Sequence, residues 1–465
     1  MNTTNDNVIN INPKSLTCFK TYDIRGIVPT ELNNEIAYRI GRAYASRFTP
    51  NTVVIGNDIR LSGPELSAAL AQGLRDSGVN VINIGECGTE EIYFAVPHLN
   101  ADGGICVTAS HNPANYNGMK FVGKGSTPIS ADNGLFDIKS LAEKNKFTAI
   151  TDIGTLEKSD ISSAYINKLM TFTNTDNLKP LKIVANPGNG GAGAVINGIE
   201  PHLPYNFKKV QFTPDGHFPN GVPNPLLPEN RAVSRDAVLA EKADFGIAWD
   251  GDFDRCFFFD ERGEFIEGYY IVGLLAQVML AKQPNEKIVY DPRLYWSTLE
   301  TIASANGTAI ASKTGHAFIK QTMRSEDALY GGEMSAHHYF RDFYYCDNGN
   351  IPWLLIAELI STSGKTLSQL VKSVTEKFPC SGEINLTVND SNKIIAALTD
   401  TYTEDALNIE TIDGIGMNFL NWRFNVRTSN TEPLLRVNIE TRGDKKLLTE
   451  KTTELIDLIN KLNTK

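Results

Sequence analysis

Three aspartates stand at alternate positions in Asp250-Gly251-Asp252-Phe253-Asp254-Arg255, directly after the apolar run Phe245 to Trp249. Carboxylates spaced in this way converge on one hard cation if the chain turns, and their oxygens suit Mg²⁺ or Ca²⁺. A calcium EF-hand loop is the rival reading, because Glu261 falls at its twelfth position. That loop needs Gly at the sixth position, where this chain has Arg255, and Cys256 to Phe259 runs on as an apolar strand. A solvated acidic turn is the plain alternative.

Thr108-Ala109-Ser110-His111-Asn112-Pro113 puts a Ser at a strand end, before a His and a Pro-terminated turn. Its hydroxyl could be presented as a nucleophile, although Ser and Asn are also ordinary turn residues. The hydrolase elbow GxSxG is absent from the chain. Arg427-Thr428-Ser429-Asn430-Thr431-Glu432-Pro433 has the composition of a phosphate cradle, with a guanidinium for bidentate bonds and hydroxyls, an amide and backbone N–H groups for the remaining oxygens. Arg436 follows within reach, and a polar turn before the strand Leu434 to Ile439 fits the same residues. Gly331-Gly332-Glu333-Met334-Ser335-Ala336-His337-His338 combines an acid, a hydroxyl and two imidazoles. Such a loop could hold sugar hydroxyls or zinc, but adjacent histidines usually point apart. His98, His202 and His217 read as core or surface residues.

Two other motifs carry little. Gly188-Asn189-Gly190-Gly191-Ala192-Gly193 satisfies GxGxxG, yet Asn186-Pro187 interrupts the turn and no acid ends a second strand at the required distance. It reads as a tight packing loop. Ser363-Gly364-Lys365-Thr366 resembles half a P-loop, with Leu359 where the first Gly belongs.

The elements that must position these groups follow one pattern. Short apolar runs rich in β-branched residues end in polar loops, and helical stretches follow: Val53-Val54-Ile55 into Gly56-Asn57-Asp58, Gly104 to Val107 into Thr108, Lys182 to Ala185 into Asn186-Pro187-Gly188, Ile288-Val289-Tyr290 into Asp291-Pro292-Arg293. Buried strands alternating with helices indicate α/β units with mostly parallel sheets. Ligands then collect beyond the carboxyl ends of the strands, where the polar loops lie.

The chain has 465 residues, enough for several cores, with 44 Lys and Arg against 54 Asp and Glu and a net charge of −10. That balance argues against nucleic acid as a partner but leaves room for small phosphorylated ligands. Met1 to Asn12 is polar and lacks the features of a signal peptide. Ile271 to Ala281, the best membrane candidate, is about half the length of a spanning helix. Six scattered cysteines without a CxxC pair read as reduced thiols and place the protein in the cytoplasm. Boundaries are expected near 157/158, where Lys158 to Thr175 reads as a helix opening a second unit, near 260/261, where Glu261-Arg262-Gly263 turns, and near 377/378. The four units are then 1–157, 158–260, 261–377 and 378–465. The last contains strands such as Glu383 to Val388 and an amphipathic helix, Lys445 to Lys461, with Leu447, Leu448, Leu455, Leu458 and Ile459 inward.

Taken together and in order, from Tyr22-Asp23-Ile24-Arg25-Gly26 to Arg427-Thr428-Ser429-Asn430-Thr431-Glu432-Pro433, these segments resemble the α-D-phosphohexomutase family over nearly the whole chain. Within it, Gly332 to Phe340 and Tyr290-Asp291-Pro292-Arg293 are similar to the bacterial phosphomannomutases that supply GDP-mannose. The resemblance implies three similar α/β domains with mostly parallel mixed sheets and a C-terminal α+β domain around a central cleft. It implies that Ser110 is the phosphoserine, with Asp250, Asp252 and Asp254 holding Mg²⁺ beside its phosphate. Glu333 and Ser335 would grip sugar hydroxyls, and Arg427, Ser429, Asn430 and Thr431 the non-reacting phosphate. Tyr22, Arg25, Lys120, Arg255, His316 and His337 would line the cleft beside His111, with Lys120 and His316 as candidates for proton transfer.

The activity so implied moves a phosphoryl group between C1 and C6 of a hexose through a 1,6-bisphosphate, which also serves as activator. Mannose is the expected sugar; glucose, or both, is the alternative, and a leaky site would make a sugar-phosphate phosphatase. Phosphoglucosamine mutases typically have Gln where this chain has Met334. Some family members carry Lys in place of Arg293, and the two side chains are not interchangeable near phosphate, so Arg293 is set aside from the catalytic residues, with contact to ligand left open. The expected partners are small sugar phosphates, with no nucleic acid or membrane, and the protein is a monomer or homodimer.

Overall fold

The computed structural model describes residues 15–428 and 434–463. Three of its four sheets repeat one topology. In the first, the strands Asn80–Glu86, Thr52–Asn57 and Gly103–Val107 lie parallel, Tyr116–Gly123 returns antiparallel beside Gly103–Val107, and Ile24–Ile27 pairs antiparallel on its far side. In the second, Asn206–Lys209, Lys182–Asn186 and Phe245–Trp249 are parallel, with Cys256–Phe259 and then Phe265–Ile266 returning at the flank. In the third, Thr308–Ala311, Lys287–Tyr290 and Tyr330–Gly332 are followed by His338–Phe340 and Cys346–Asp347 in the same way.

This repetition decides where the chemistry sits. The connection from the last parallel strand to the returning strand holds Ser110 in the first unit, the three aspartates in the second and Glu333-Met334-Ser335 in the third. These strands are buried along their length, as Gly103–Val107 and Phe245–Trp249 show. They therefore read as unbroken apolar runs.

Apolar packing joins the three units. One cluster of buried side chains runs from Val54 and Ile92 through Trp249 and Phe253 to Trp353 and Val371. At its centre lies the helix Gly268–Lys282, with twelve of its fifteen residues buried. A helix apolar on every side belongs inside a protein or a membrane. Among the described residues, no helix is long and apolar enough to cross a membrane.

The fourth unit differs. Its sheet, in the order Cys380–Thr387, Leu434–Thr441, Trp422–Thr428, Ile415–Asn418 and Asn408–Glu410, is antiparallel throughout. Alternation along its strands sorts the residues by face. Phe424, Val426, Leu435, Val437 and Ile439 pack with the helices Ser391–Tyr402 and Lys445–Asn463 in a separate core that includes Leu398, Leu455 and Ile459. The opposite face is polar: Arg423 stands across from Glu440, Asn425 from Asn438, and Arg427 from Arg436. This face docks on the third unit. Arg423 donates to the carbonyls of Arg293 (2.7 Å) and Pro292 (3.0 Å) and to Glu440 (3.1 Å), and its guanidinium lies over the Tyr295 ring. Glu440 also accepts from Tyr295 N (3.0 Å) and the Tyr269 hydroxyl.

Two expected boundaries move. Lys158 belongs to the strand Leu156–Lys158 at the edge of the first sheet, and the following helix is Ser162–Met170, shorter than expected. The turn after Asp260 is a hairpin whose second arm, Phe265–Ile266, pairs back on Cys256–Phe259, so the second sheet extends past 260. Gly364, at φ +67, ends the helix Ile351–Ser363 just before Thr366 caps Leu367–Lys377. The half P-loop is thus a turn between helices. The interface of the fourth unit yields a test. Removing one partner of a buried ion pair costs about 3–5 kcal/mol, so Arg423→Met is expected to lower the first calorimetric transition. Hydrogen exchange should rise selectively at 290–296, with the core of the first unit unchanged.

Candidate active site

Ser110 is 2% exposed and sits in the left-handed region at φ +51, uncommon for any residue but Gly. Arg60 holds it there, donating to the carbonyls of Ser110 (2.8 Å), Asn112 (2.6 Å), Pro113 (2.8 Å) and Tyr116 (2.9 Å). Asp58 pairs with Arg60 (3.3 Å) and accepts from Thr108, whose hydroxyl oxygen accepts from Ser110 N at 2.9 Å. The Ser110 hydroxyl donates to Asp250 Oδ2 at 2.9 Å, joining the first unit to the second. A close approach of the backbones allows this: a Cβ on Gly251 would lie 2.3 Å from the Ser110 carbonyl oxygen.

Asp250, Asp252 and Asp254 are at most 1% exposed, and they offer carboxylate oxygens within 4.8 Å of one another. Lys120, on the returning strand of the first sheet, donates to Asp252 (2.7 Å) and Asp254 (2.6 Å). Arg255 grips Asp250 Oδ2 through Nε (2.9 Å) and Nη2 (2.6 Å), and Thr89 donates to Asp252 (2.6 Å). Burial alone would depress the Lys120 ammonium, but Asp252 and Asp254 hold it far above its usual value. Burial likewise raises Asp252, and Lys120 outweighs it and drives that carboxyl far down. Asp254 stays well above the carboxylate range, through burial and the charge of Asp252.

The residues fit a divalent cation. Asp252 Oδ1 and Asp254 Oδ1 are buried and accept no hydrogen bond, and an unmet buried carboxylate oxygen is costly. Hard oxygen donors of this kind suit Mg²⁺. The glycine-rich segment at 188–193 packs against this loop, since a Cβ on Gly191 would lie 2.8 Å from the Phe253 ring.

Imidazoles surround the serine and the acids. His111 Nδ1 lies 2.6 Å from Arg255 Nη2 and 3.1 Å from Ser110 Oγ. A guanidinium only donates, so Nδ1 carries no proton. Burial, then Arg255 and Arg25, push the His111 pKa well down. His316 opens the helix His316–Glu326 with its ring edge-on to Tyr22 at 5.6 Å. Its Nδ1 is buried without a hydrogen-bond partner, and burial, then Lys320, Lys120 and Arg25, keep it neutral. Arg25 donates to Asp23 (2.8 Å) and to Asn112.

In the third unit, Glu333 accepts from Gly315 N (2.9 Å) and the Tyr339 hydroxyl (2.5 Å). His337 lies 3.4 Å from Glu333 and 3.7 Å from Asp254, linking this loop to the acidic one. Arg293, set aside on sequence, stands at the centre. It is 1% exposed, donates to Asp291 (2.9 Å), Ser335 (3.3 Å) and Glu383 (3.1 Å), and lies 3.7 Å from Glu333. Arg427 and Arg436 each pair with Glu383 at 3.3 Å. Ser429, Asn430 and Thr431 lie outside the described residues. His98, His202 and His217 are exposed. Sequence reasoning missed Asp58, Arg60, Thr89 and Glu383 as site residues, because none of them belongs to a motif with a chemistry of its own.

A buried serine set against three buried aspartates, with the Glu333 loop and paired arginines brought beside them by four units, has the make-up of a sugar-phosphate phosphotransferase. Its fold matches the crystal structure of a phosphoglucomutase/phosphomannomutase family protein from Burkholderia thailandensis, 29% identical, with TM-score 0.87, covering 96% of this chain and 98% of that one. Models of the phosphoglucomutase/phosphomannomutase alpha/beta/alpha domains I, II and III match residues 16–149, 163–263 and 267–378, and that of the C-terminal domain matches 383–458. The chain belongs to the phosphoglucomutase/phosphomannomutase family. Two curated relatives are each 55% identical: a phosphomannomutase of Escherichia coli strain K12, with 96% of this chain and all of that one covered, and a protein of Xanthomonas campestris named phosphohexose mutases, with 96% and 99% covered.

The site generates two expectations. Mg²⁺ at one hundred times its dissociation constant should stabilise the protein by about 2.7 kcal/mol, read as a rise in melting temperature. Asp252→Asn should lose that response. The buried imidazole of His316 should cost the metal-free protein stability as the pH falls from 7 to 5, because it titrates near 6.5 when unfolded and stays neutral when folded. The unfolded chain then binds a proton at this site that the folded chain does not, while raised carboxyls such as Asp254 act in the opposite direction. The difference between wild type and His316→Gln isolates the imidazole: the variant should lose less stability, or gain more, over the same range.

Proposed function

We propose that the protein is a phosphomannomutase that interconverts mannose 1-phosphate and mannose 6-phosphate through phosphorylated Ser110 and a bound 1,6-bisphosphate, feeding GDP-mannose synthesis. The observation that carries this is the Ser110 hydroxyl held 2.9 Å from Asp250 inside the acidic loop, in a chain 55% identical to a phosphomannomutase over nearly its whole length.

In this reading, phosphorylated Ser110 gives its phosphoryl group to the free hydroxyl of the sugar phosphate. The serine O–P bond breaks as the sugar O–P bond forms, the hydroxyl proton passes to a base, and the departing Ser110 oxygen takes up a proton to become the free hydroxyl again. His316, neutral with Nδ1 unpartnered, suits that role better than Lys120, which two carboxylates hold charged. Lys120 and Arg255 instead supply fixed positive charge, on which phosphoryl transfer largely depends. The bisphosphate then turns around, and Ser110 takes back the phosphoryl group at the other end.

Asp250, Asp252 and Asp254 would hold Mg²⁺, which when bound neutralises charge on the transferring group. Glu333 and Ser335, oriented by Tyr339, Gly315 and Arg293, would receive sugar hydroxyls. Arg427 and Arg436, with Ser429, Asn430 and Thr431, would hold the phosphate that does not react. Tyr22, Arg25, His111 and His337 complete the lining. The sugar binds in solution and needs no nucleic acid or membrane.

The test is steady-state turnover of mannose 1-phosphate and glucose 1-phosphate side by side, with Mg²⁺ and a trace of hexose 1,6-bisphosphate. A large mannose preference without release of inorganic phosphate is expected. Comparable rates would replace the proposal with a dual-specificity mutase, and phosphate release without isomerisation with a phosphatase. Ser110→Ala should abolish turnover and leave the circular dichroism spectrum unchanged; full activity in that variant would sink the phosphoserine mechanism.

A further inference from the structure

Glu383 belongs to none of the sequence motifs, yet three arginines converge on it. It follows a bulge in Cys380–Thr387 at which Gly382 adopts φ +68. Its carboxylate lies 3.1 Å from Arg293, 3.3 Å from Arg427 and 3.3 Å from Arg436. Arg427 and Arg436 stand directly opposite each other on neighbouring strands. Like charges so placed destabilise a sheet, so an anion is required between them. Asp413 approaches Arg427 only at 3.7 Å.

Two further facts separate Glu383 from an ordinary buried ion pair. Its side chain is 21% exposed and that of Arg436 22%, against 1% for Arg293 and 5% for Arg427, so a solvent anion reaches the cluster at its Arg436 edge. Burial would raise its pKa, but Arg293, Arg436 and Arg427 outweigh burial and hold it below the usual range. It is therefore charged at neutral pH. A carboxylate offers guanidinium groups the same two-oxygen face that a phosphate does.

We propose that Glu383 is an internal stand-in for the substrate's non-reacting phosphate: it holds Arg427 and Arg436 in its absence and yields them when the phosphate binds. This rests on the reading of Arg427 and Arg436 as the phosphate cradle. The displaced carboxylate keeps Arg293 as its partner. The tie between the third and fourth units is thus rebalanced by the arrival of substrate, and Glu383 acts as a positioning residue.

The test uses full-length protein and inorganic phosphate as the probe, titrated calorimetrically, with wild type, Glu383→Gln, Glu383→Asp and Arg427→Ala compared. A displaced anion competes with its replacement. Glu383→Gln is therefore expected to bind phosphate about tenfold more tightly, a gain of about 1.4 kcal/mol, and to lower KM for the sugar phosphate more than it lowers kcat. Glu383→Asp, whose shorter side chain withdraws from the guanidiniums, should tighten binding about threefold, and it decides the matter should Glu383→Gln not fold. Unchanged or weaker phosphate binding in these variants, with binding abolished in Arg427→Ala, would show that Glu383 merely buttresses the cradle and overturn the proposal. Unchanged binding in Arg427→Ala would instead remove the cradle reading itself, and the proposal with it.

Discussion

Three carboxylates buried within five residues cannot all be charged unless cations are brought to them, and this constraint organises the molecule. At about 4 Å, two unit charges repel by about 4 kcal/mol even at an effective dielectric of 20. Arg255 comes from the acidic loop itself, but Lys120 is carried by the returning strand of another unit. The second unit therefore keeps its loop only against the first. The same demand brings Ser110 to Asp250 and requires Gly251, where the two backbones nearly touch. With the Asp254 carboxyl held above the usual range by burial and Asp252, and two carboxylate oxygens unmet, the loop's donors fit a divalent ion.

The four units are not joined alike. The first three share one apolar cluster and repeat a single sheet plan, so their loops are fixed relative to one another. The fourth keeps its apolar face to itself and meets the third through Arg423, Glu440, Glu383 and Arg293. Polar interfaces between domains are those expected to move. On the proposed reading, the groups that would carry the phosphoryl group are thus held rigidly, and those that would grip the other end of the substrate sit on the separable unit.

The parts legible in sequence were those confined to one short stretch. Alternate aspartates after an apolar run, a Ser at a strand end and a Gly-Gly-Glu-Met-Ser loop all announce themselves locally, because the repeated hairpin concentrates each unit's polar groups at one turn. The four-unit plan was legible for the same reason. What escaped were residues whose meaning is tertiary. Arg60 is an isolated arginine in a loop until it binds four carbonyls of the serine turn. Glu383 is one polar residue in an alternating strand until three arginines from three different elements close on it. Arg293 was set aside because Arg and Lys part ways near phosphate, whereas the structure uses its planar fork to span Asp291, Ser335 and Glu383. The boundary near 260 slipped because a two-residue strand, Phe265–Ile266, leaves too short an apolar signal to separate it from the turn.

If the reaction runs, as proposed, through a bisphosphate that turns end for end, the polar interface answers the mechanical problem this poses. The sugar must be released enough to rotate, yet a highly charged intermediate must not escape to water. An apolar interface between the third and fourth units would hold the site either shut or open, since separating it exposes surface in proportion to its area. At the edge of this interface, where Glu383 and Arg436 are 21% and 22% exposed, ion pairs exchange partners with little net change, because water and phosphate oxygens replace carboxylates one for one. Met334 lies at the joint itself, its N–H on Asp291 (2.8 Å) and its sulfur 3.4 Å from Asn438 of the fourth sheet. The loop that carries Glu333 and Ser335 therefore shares its footing with the arginine-bearing sheet. On the proposed reading, loosening one grip would loosen the other, which is what turning around inside a closed site requires.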